Sequence, residues 1–207
     1  MHPNPIFRGQ ADAKNLDFAR AMGFGALVVS QDGAPLISHI PFLLNDEGTE
    51  AELHLVRSNP MARLGGDVIA KLVVTGPHSY ISPDWYGIPD QVPTWNYVAV
   101  HLTGALERLP DAELHGVLDR LSERFETELA PKPAWHSAKM TAGVMDRMMR
   151  QIVPFRLRIT AVEGTWKLNQ NKANEARLRA AEHVARNGLG SELAALAQMM
   201  RDALTAE

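Results

Sequence analysis

Residues 92–104, Val-Pro-Thr-Trp-Asn-Tyr-Val-Ala-Val-His-Leu-Thr-Gly, constrain the fold more than any other stretch of the chain. From Asn96 onward Val98, Val100 and Leu102 fall on one side, and Trp95, Tyr97, His101 and Thr103 on the other. A period of two with one apolar face predicts a β-strand laid over a core. The second face is a wall of aromatic and hydrogen-bonding groups. Such a wall suits a flat heteroaromatic ligand or a partner subunit, and equally a face covered by a helix.

The same period recurs upstream. A helix capped by Asp12 and ended by Gly23 is expected first, with Leu16, Ala19 and Met22 on one side. Strands are expected over 24–30 and 35–44, joined through Asp32-Gly33, then over 52–57 and 68–75. Asn59-Pro60 opens a helical turn closed by Gly65-Gly66, and 76–91 is a loop rich in Pro, Gly and aromatics. After Leu109 the period becomes 3.6. Leu114, Val117, Leu118, Leu121 and Phe125 form one stripe of a helix that Asp111 could cap. Pro131 and Pro133 break it, and Met140, Val144, Met148 and Ile152 suggest a second helix after Ser137. A return strand over 153–161 and helices over 175–186 and 191–204 complete the chain. Five or six antiparallel strands interrupted by helices predict an α+β fold that is mainly β: a small barrel with helices packed outside. One domain over 1–207 is expected, with 173–207 as a helical extension packed on it.

The chain has 207 residues and a formal charge of −3, so no global basic field draws in nucleic acid or an anionic membrane. It has no cysteine, which removes disulfides, thiolate metal sites and cysteine nucleophiles together. No signal peptide is expected at the N-terminus, and no apolar run approaches the roughly 20 residues of a membrane span. A soluble, cytoplasmic protein is the expectation.

Three segments could carry chemistry. Arg57, Ser58 and Asn59 run into the turn at Pro60, with Arg63 one turn later; two guanidinium forks and a hydroxyl at a helix start suit a phosphate. Ser38-His39-Ile40-Pro41 lies in mid-strand, where a proline marks an edge or a bulge and leaves main-chain groups open to a ligand. Lys167-Leu-Asn-Gln-Asn-Lys172 offers many donors, or is a polar loop capping the next helix. The eight histidines show no metal-ligand spacing, and no Gly-x-Ser-x-Gly elbow supports a serine nucleophile. The last two helices, joined at Asn187-Gly-Leu-Gly190, have the outline of a helix-turn-helix. Their charges nearly balance, however, and Leu193, Leu196, Ala197, Met200 and Leu204 form a docking stripe.

Five of these segments together resemble the PaiB-type proteins, the FMN-binding negative transcriptional regulators. They are Ser38-His-Ile-Pro41, Arg57-Ser-Asn-Pro60, Gly76-Pro-His-Ser-Tyr-Ile-Ser82 with Trp85-Tyr86, Val92-Pro-Thr-Trp-Asn-Tyr97 with Val100-His101, and Lys167-Leu-Asn-Gln-Asn-Lys172. They occur in family order as far as residue 172. Asn169 and Lys172 stand where the family often has serine and arginine, and the final helices carry no matching motif.

The resemblance implies a split β-barrel like that of the pyridoxamine-phosphate oxidases, forming a homodimer with FMN in the grooves between subunits. It implies phosphate contacts from Arg57, Ser58, Asn59 and Arg63. The isoalloxazine would meet Ser38, His39, Ile40 and Pro41, with Trp95, Asn96, Lys167, Asn169 and Gln170 added across the dimer. Three functions follow as expectations. The first is a flavin-binding homodimer, with reductase chemistry on an unknown small-molecule substrate as an extension. The second is a regulator acting through protein partners or on DNA, although direct nucleic-acid binding is not expected from the charge. The third is a haem-binding or haem-processing protein, with His39 or His101 as ligand.

Overall fold

The computed structural model describes residues 1–31, 33–65 and 68–203. The hairpin signal at Asp32, the glycine at 66 and Leu204 of the helical stripe lie outside the described residues. Seven strands are present among the described residues: β1 (Phe24–Gln31), β2 (Ala34–Leu44), β3 (Glu50–Val56), β4 (Val68–Ile81), β5 (Thr94–Arg108), β6 (Ile152–Lys167) and β7 (Leu189–Ser191). They are hydrogen-bonded in the order β1-β2-β3-β6-β5-β4-β7, and β1 also pairs with β4. That extra pairing closes β1 to β6 into a cycle, which is how a small antiparallel sheet removes its edges. The helices are α1 (Asp12–Met22), α2 (Leu114–Thr127), α3 (Val144–Met149), α4 (Asn174–Asn187) and α5 (Leu193–Asp202). The expected α+β class with a dominant barrel is what the chain forms.

The chain divides into two compact units. One comprises residues 1–15, 75–100 and 163–207; the other comprises 16–74 and 101–162. In the second unit the alternating residues of β1, β2 and β3 are buried on one side: Leu27 and Val29, Phe42 and Leu44, Leu53 and Leu55. Helix α2 adds Val117 and Leu121, which pack with Leu109 and are joined by Leu43 and Phe125. This is the stripe that the 3.6 period announced. In the first unit Val98 and Val100 of β5 are fully buried with Ile81, Ala180, Val184, Leu196 and Met200.

Four expectations need correction. Strand β4 continues to Ile81 rather than ending at Thr75. Pro77 is tolerated because it falls between residues 70–73, which pair with β1, and residues 78–80, which pair with β7. Strand β6 runs on to Lys167, six residues beyond the expected end. The methionine-rich stretch forms only a six-residue α3, and Ile152 opens β6. The connection between α4 and α5 is strand β7, paired as Tyr80 with Leu189, Ser79 with Gly190 and His78 with Ser191. A Cβ on Gly190 would lie 2.0 Å from the His78 carbonyl oxygen, so glycine permits this approach. The link is therefore a sheet element and not the turn of a helix-turn-helix.

His54 lies on β3 opposite Pro154, and its Nδ1 is buried with no partner among the described residues. Burial pushes its imidazole below the ordinary value. The unfolded chain then takes up this proton first, so the stability it contributes is full above pH 6.5 and falls as pH drops through the folded value. We expect His54→Gln to flatten the loss of unfolding free energy between about pH 7 and 5, as measured by urea titration. His2, shifted the same way by burial, is common to both proteins and cancels in the comparison. Equal slopes would remove His54 as the acid-sensitive group.

Candidate functional site

Strand β2 is interior in the sheet order, yet its residues 34–41 pair with β1 and only residues 42–44 pair with β3. Phe24 faces Pro41, and the Phe42 N–H donates to the Gly23 carbonyl at 2.9 Å. By alternation, the main-chain groups of Ile37, His39 and Pro41 point away from β1, toward a side where no strand among the described residues pairs with residues 34–41. Pro41 loses nothing there, having no N–H to satisfy. The expected open edge is present.

The turn after β3 lies beside this edge. The Asn59 amide donates to Ser38 Oγ at 3.2 Å, tethering the turn to β2. Its Oδ1 accepts from Met61 N–H at 3.0 Å, capping a 3-10 turn over Pro60–Arg63. Ser58 and Arg63 are exposed, and neither makes a hydrogen bond or ion pair with another described residue. His39 is exposed, with its ring stacked near Phe24 at 6.5 Å between centroids, and Ile40 is buried.

Two parts of the expected phosphate cradle take other roles. The helix is only a four-residue 3-10 turn, and its first N–H groups are used by the Asn59 side chain and carbonyl, so no free helix N-terminus exists. The Arg57 guanidinium turns away: it donates to the carbonyls of Arg150 and Ile152, at 3.0 and 3.2 Å, and to Asp111 at 3.1 Å. Arg108 also bonds Asp111, and these cations hold its carboxyl below the usual range. Arg57 thus pins the start of β6 to the end of β3.

In the first unit Trp95, the first residue of the expected wall, gathers two further rings. Trp95 is 45% exposed, with His78 and Tyr80 of β4 each 6.1 Å from its ring. Both were missed because 76–91 reads as a loop, although His78 and Tyr80 alternate with buried Ser79 and Ile81. Asn96 is on the core face with no exposed surface, and neither its amide nitrogen nor its oxygen has a partner among the described residues. The Lys167–Lys172 segment ties this unit together. Tyr86 Oη donates to Asn169 Oδ1 at 3.2 Å, and Asn169 adopts the left-handed region at φ 62°. Burial raises the Tyr86 hydroxyl's pKa, which the bond to Asn169 partly offsets. Gln170 bridges Leu168, Trp166 and Ile6, beside a cavity of about 590 Å³ lined also by Lys14 and Met199.

No group of three or more potential metal ligands occurs among the described residues. One serine, histidine and aspartate do meet: His115 Nε2 lies 3.2 Å from Ser137 Oγ and 3.7 Å from Asp119 Oδ2. Both contacts use the same ring nitrogen. A relay needs the carboxylate on one nitrogen and the hydroxyl on the other, so this is a surface contact.

The comparisons with known proteins agree with this architecture. Residues 1–161 match the family model described as "Putative FMN-binding domain". The protein described as "Protease synthase and sporulation protein PAI 2" from Bacillus subtilis (strain 168) is 28% identical over 191 residues, covering 91% of this chain and 90% of that one. Among solved structures, the FAD and haem binding protein from Mycobacterium smegmatis superposes with a TM-score of 0.57 at 18% identity, over 89% of this chain and 82% of that one. The conserved hypothetical protein Rv2991 from Mycobacterium tuberculosis gives 0.53 at 18% identity, over 78% and 88%. At such identities the two structures speak for the fold, a split barrel shared with flavin proteins. No helix among the described residues is long and apolar enough to cross a membrane. With its motifs in order and more than three quarters of its length inside the model, this chain belongs to the PaiB-type FMN-binding family.

Proposed function

We propose that FMN binds along the open edge of β2. Its ring edge would meet the unpaired main chain of His39 and Pro41, and its phosphate would reach Ser58 and Arg63. One observation carries this reading: the Asn59–Ser38 hydrogen bond sets a turn whose Arg63 guanidinium has no partner among the described residues beside a strand edge that no described strand covers. The residues fit FMN there. Main-chain amides and carbonyls match the donor–acceptor edge of a flavin, and a planar guanidinium matches a phosphate. FMN, when bound, supplies hydride and electron transfer, while the protein supplies position and electrostatics. Asn59 positions the turn, Phe24 supports His39, and Arg57 holds β6 and so lies outside the seat. Asn169 and Gln170 are committed to hydrogen bonds within the first unit, and this seat assigns no contact to Trp95 or Asn96.

The proposal includes a homodimer. By register, Phe24, Val28, Ile37 and Lys71 share one face of β1, β2 and β4, and Ile69 extends it. Phe24, Ile37 and Ile69 are 53%, 58% and 64% exposed in the single chain. Apolar surface of this extent on one sheet face favours a self-complementary two-fold contact.

The test is flavin titration of the purified protein, followed by fluorescence, with light scattering on the same samples. FMN should bind, at a mass near twice 22.8 kDa. Arg63→Ala should weaken FMN by about 1.4 kcal/mol, about tenfold, a charge-assisted bond discounted for exposure. Riboflavin, lacking the phosphate, should bind both proteins alike. A variant that loses FMN and riboflavin equally makes Arg63 structural; a haem spectrum, or no flavin binding, ends the FMN reading.

A further inference from the structure

The end of β6 and the turn after it carry a pair of cations with no ion-pair partner among the described residues. Lys167 Nζ donates to Thr94 Oγ1 and lies 5.9 Å from the centre of the Phe7 ring. Lys172 Nζ donates to Gln91 Oε1 at 2.5 Å and lies 5.2 Å from the centre of the Tyr86 ring. Both ammonium groups are therefore fixed to one short segment, 91–94, and both are half-buried. The groups that hold them are neutral: a hydroxyl, a primary amide and two aromatic faces. Neither lysine joins an ion pair among the described residues, whereas the exposed Lys132 does.

Holding two like charges this way costs free energy. Burial first, and the neighbouring Lys172 second, lower the proton affinity of Lys167. A packed protein tolerates such a pair most readily where an anion completes it. Two residues beyond Lys172, helix α4 starts with Ala173 at its cap and no side-chain acceptor from it, which adds partial positive charge on the same side of the sequence.

We propose that Lys167 and Lys172 form a binding site for a compact dianion, the phosphate group of a small organic phosphate, distinct from the flavin seat on β2. Two ammonium groups give six donors as two compact point charges, the form in which lysine binds phosphate, so a compact dianion suits them. Thr94 and Gln91 keep the lysines in place when the site is empty and can turn to the ligand when it is filled. The site lies wholly in the first unit and does not depend on where FMN binds.

Isothermal titration of the full-length protein with inorganic phosphate and with pyrophosphate, at matched chloride, tests this with and without saturating FMN. Saturable binding is expected, unchanged by FMN. Lys172→Met should weaken it about tenfold, and Lys167→Met with Lys172→Met further still, each loss being that of a charge-assisted contact. Lys172→Arg should stay within about threefold of the parent, since charge and reach are kept. Thermal unfolding of each variant reports folding, and the single Lys172→Met carries the test should the double variant be unstable. Absent binding, or binding that Lys172→Met leaves intact, overturns the proposal. So does displacement of phosphate by FMN but not by riboflavin, which would assign these lysines to the flavin's own phosphate.

Discussion

Gly104→Ala is expected to cost about 3 kcal/mol or more of folding stability, the upper range of overpacking effects. Gly104 lies in β5, and a Cβ there would sit 1.9 Å from the Arg158 carbonyl oxygen and 2.6 Å from its carbon. Both obstructing atoms are main chain of β6, so no rotamer change relieves them; the strands must separate. Nearby, Thr160 Oγ1 donates to the Thr103 carbonyl at 3.2 Å, a bond that separation would also strain. For a chain of this length each kcal/mol moves Tm by roughly 2–4 °C, so a drop of roughly 6–12 °C follows. Urea unfolding should show a lower midpoint with an unchanged slope. A variant within about 0.5 kcal/mol of the parent would mean that β5 and β6 are not so close at this point.

Nothing in the sequence marks that glycine, which reads as the end of an alternating run. Alternation itself was a good guide: Val98, Val100 and Leu102 are fully buried, as their spacing demanded. It failed where a local signal was stronger than the sheet. Pro77 and the glycines around it read as a loop, because the relief comes from β1 and β7 each pairing a different half of β4. That exchange of partners is a long-range fact. The same holds for residues 188–191, where two glycines read as a turn, yet Gly190 lets β7 lie against β4 and Gly188 lets the chain pass the Val184 carbonyl at the end of α4.

The candidate site divides along a similar line. The open edge at Pro41 was legible because proline chemistry is local. The role of Arg57 was not, since its partners at 111, 150 and 152 are remote in sequence and no pattern near residue 57 points to them. Asn96 belongs to the buried parity of β5, and counting alternation back from Val98 places it there. Reading it as a ligand contact gave the motif precedence over the period. Lys167 and Lys172 were visible as donors, but that both are fixed to the neutral groups of Gln91 and Thr94 emerges only from the fold.

Gln170 offers the sharpest separation of a ligand contact from a structural clamp. Its Oε1 accepts from Leu168 N–H at 2.8 Å, and its Nε2 donates to the carbonyls of Trp166 at 2.6 Å and Ile6 at 3.2 Å. All three bonds agree on one orientation of the amide, which is 7% exposed. Gln170→Ala removes partners from three main-chain groups, each worth about 1–3 kcal/mol if left dry. The adjoining cavity of about 590 Å³ lets water repair part of the loss, so about 2–4 kcal/mol in total is expected. Gln170→Glu keeps the shape and the bond to Leu168, but it turns an oxygen toward two carbonyl oxygens. At pH 7 it should therefore be less stable than Gln170→Ala, and it should recover as the pH falls toward about 4, where the new carboxyl takes up a proton and can donate. A residue whose amide served only a ligand would show neither effect. A Gln170→Glu protein as stable as the parent at neutral pH would sink the clamp and return Gln170 to the flavin site.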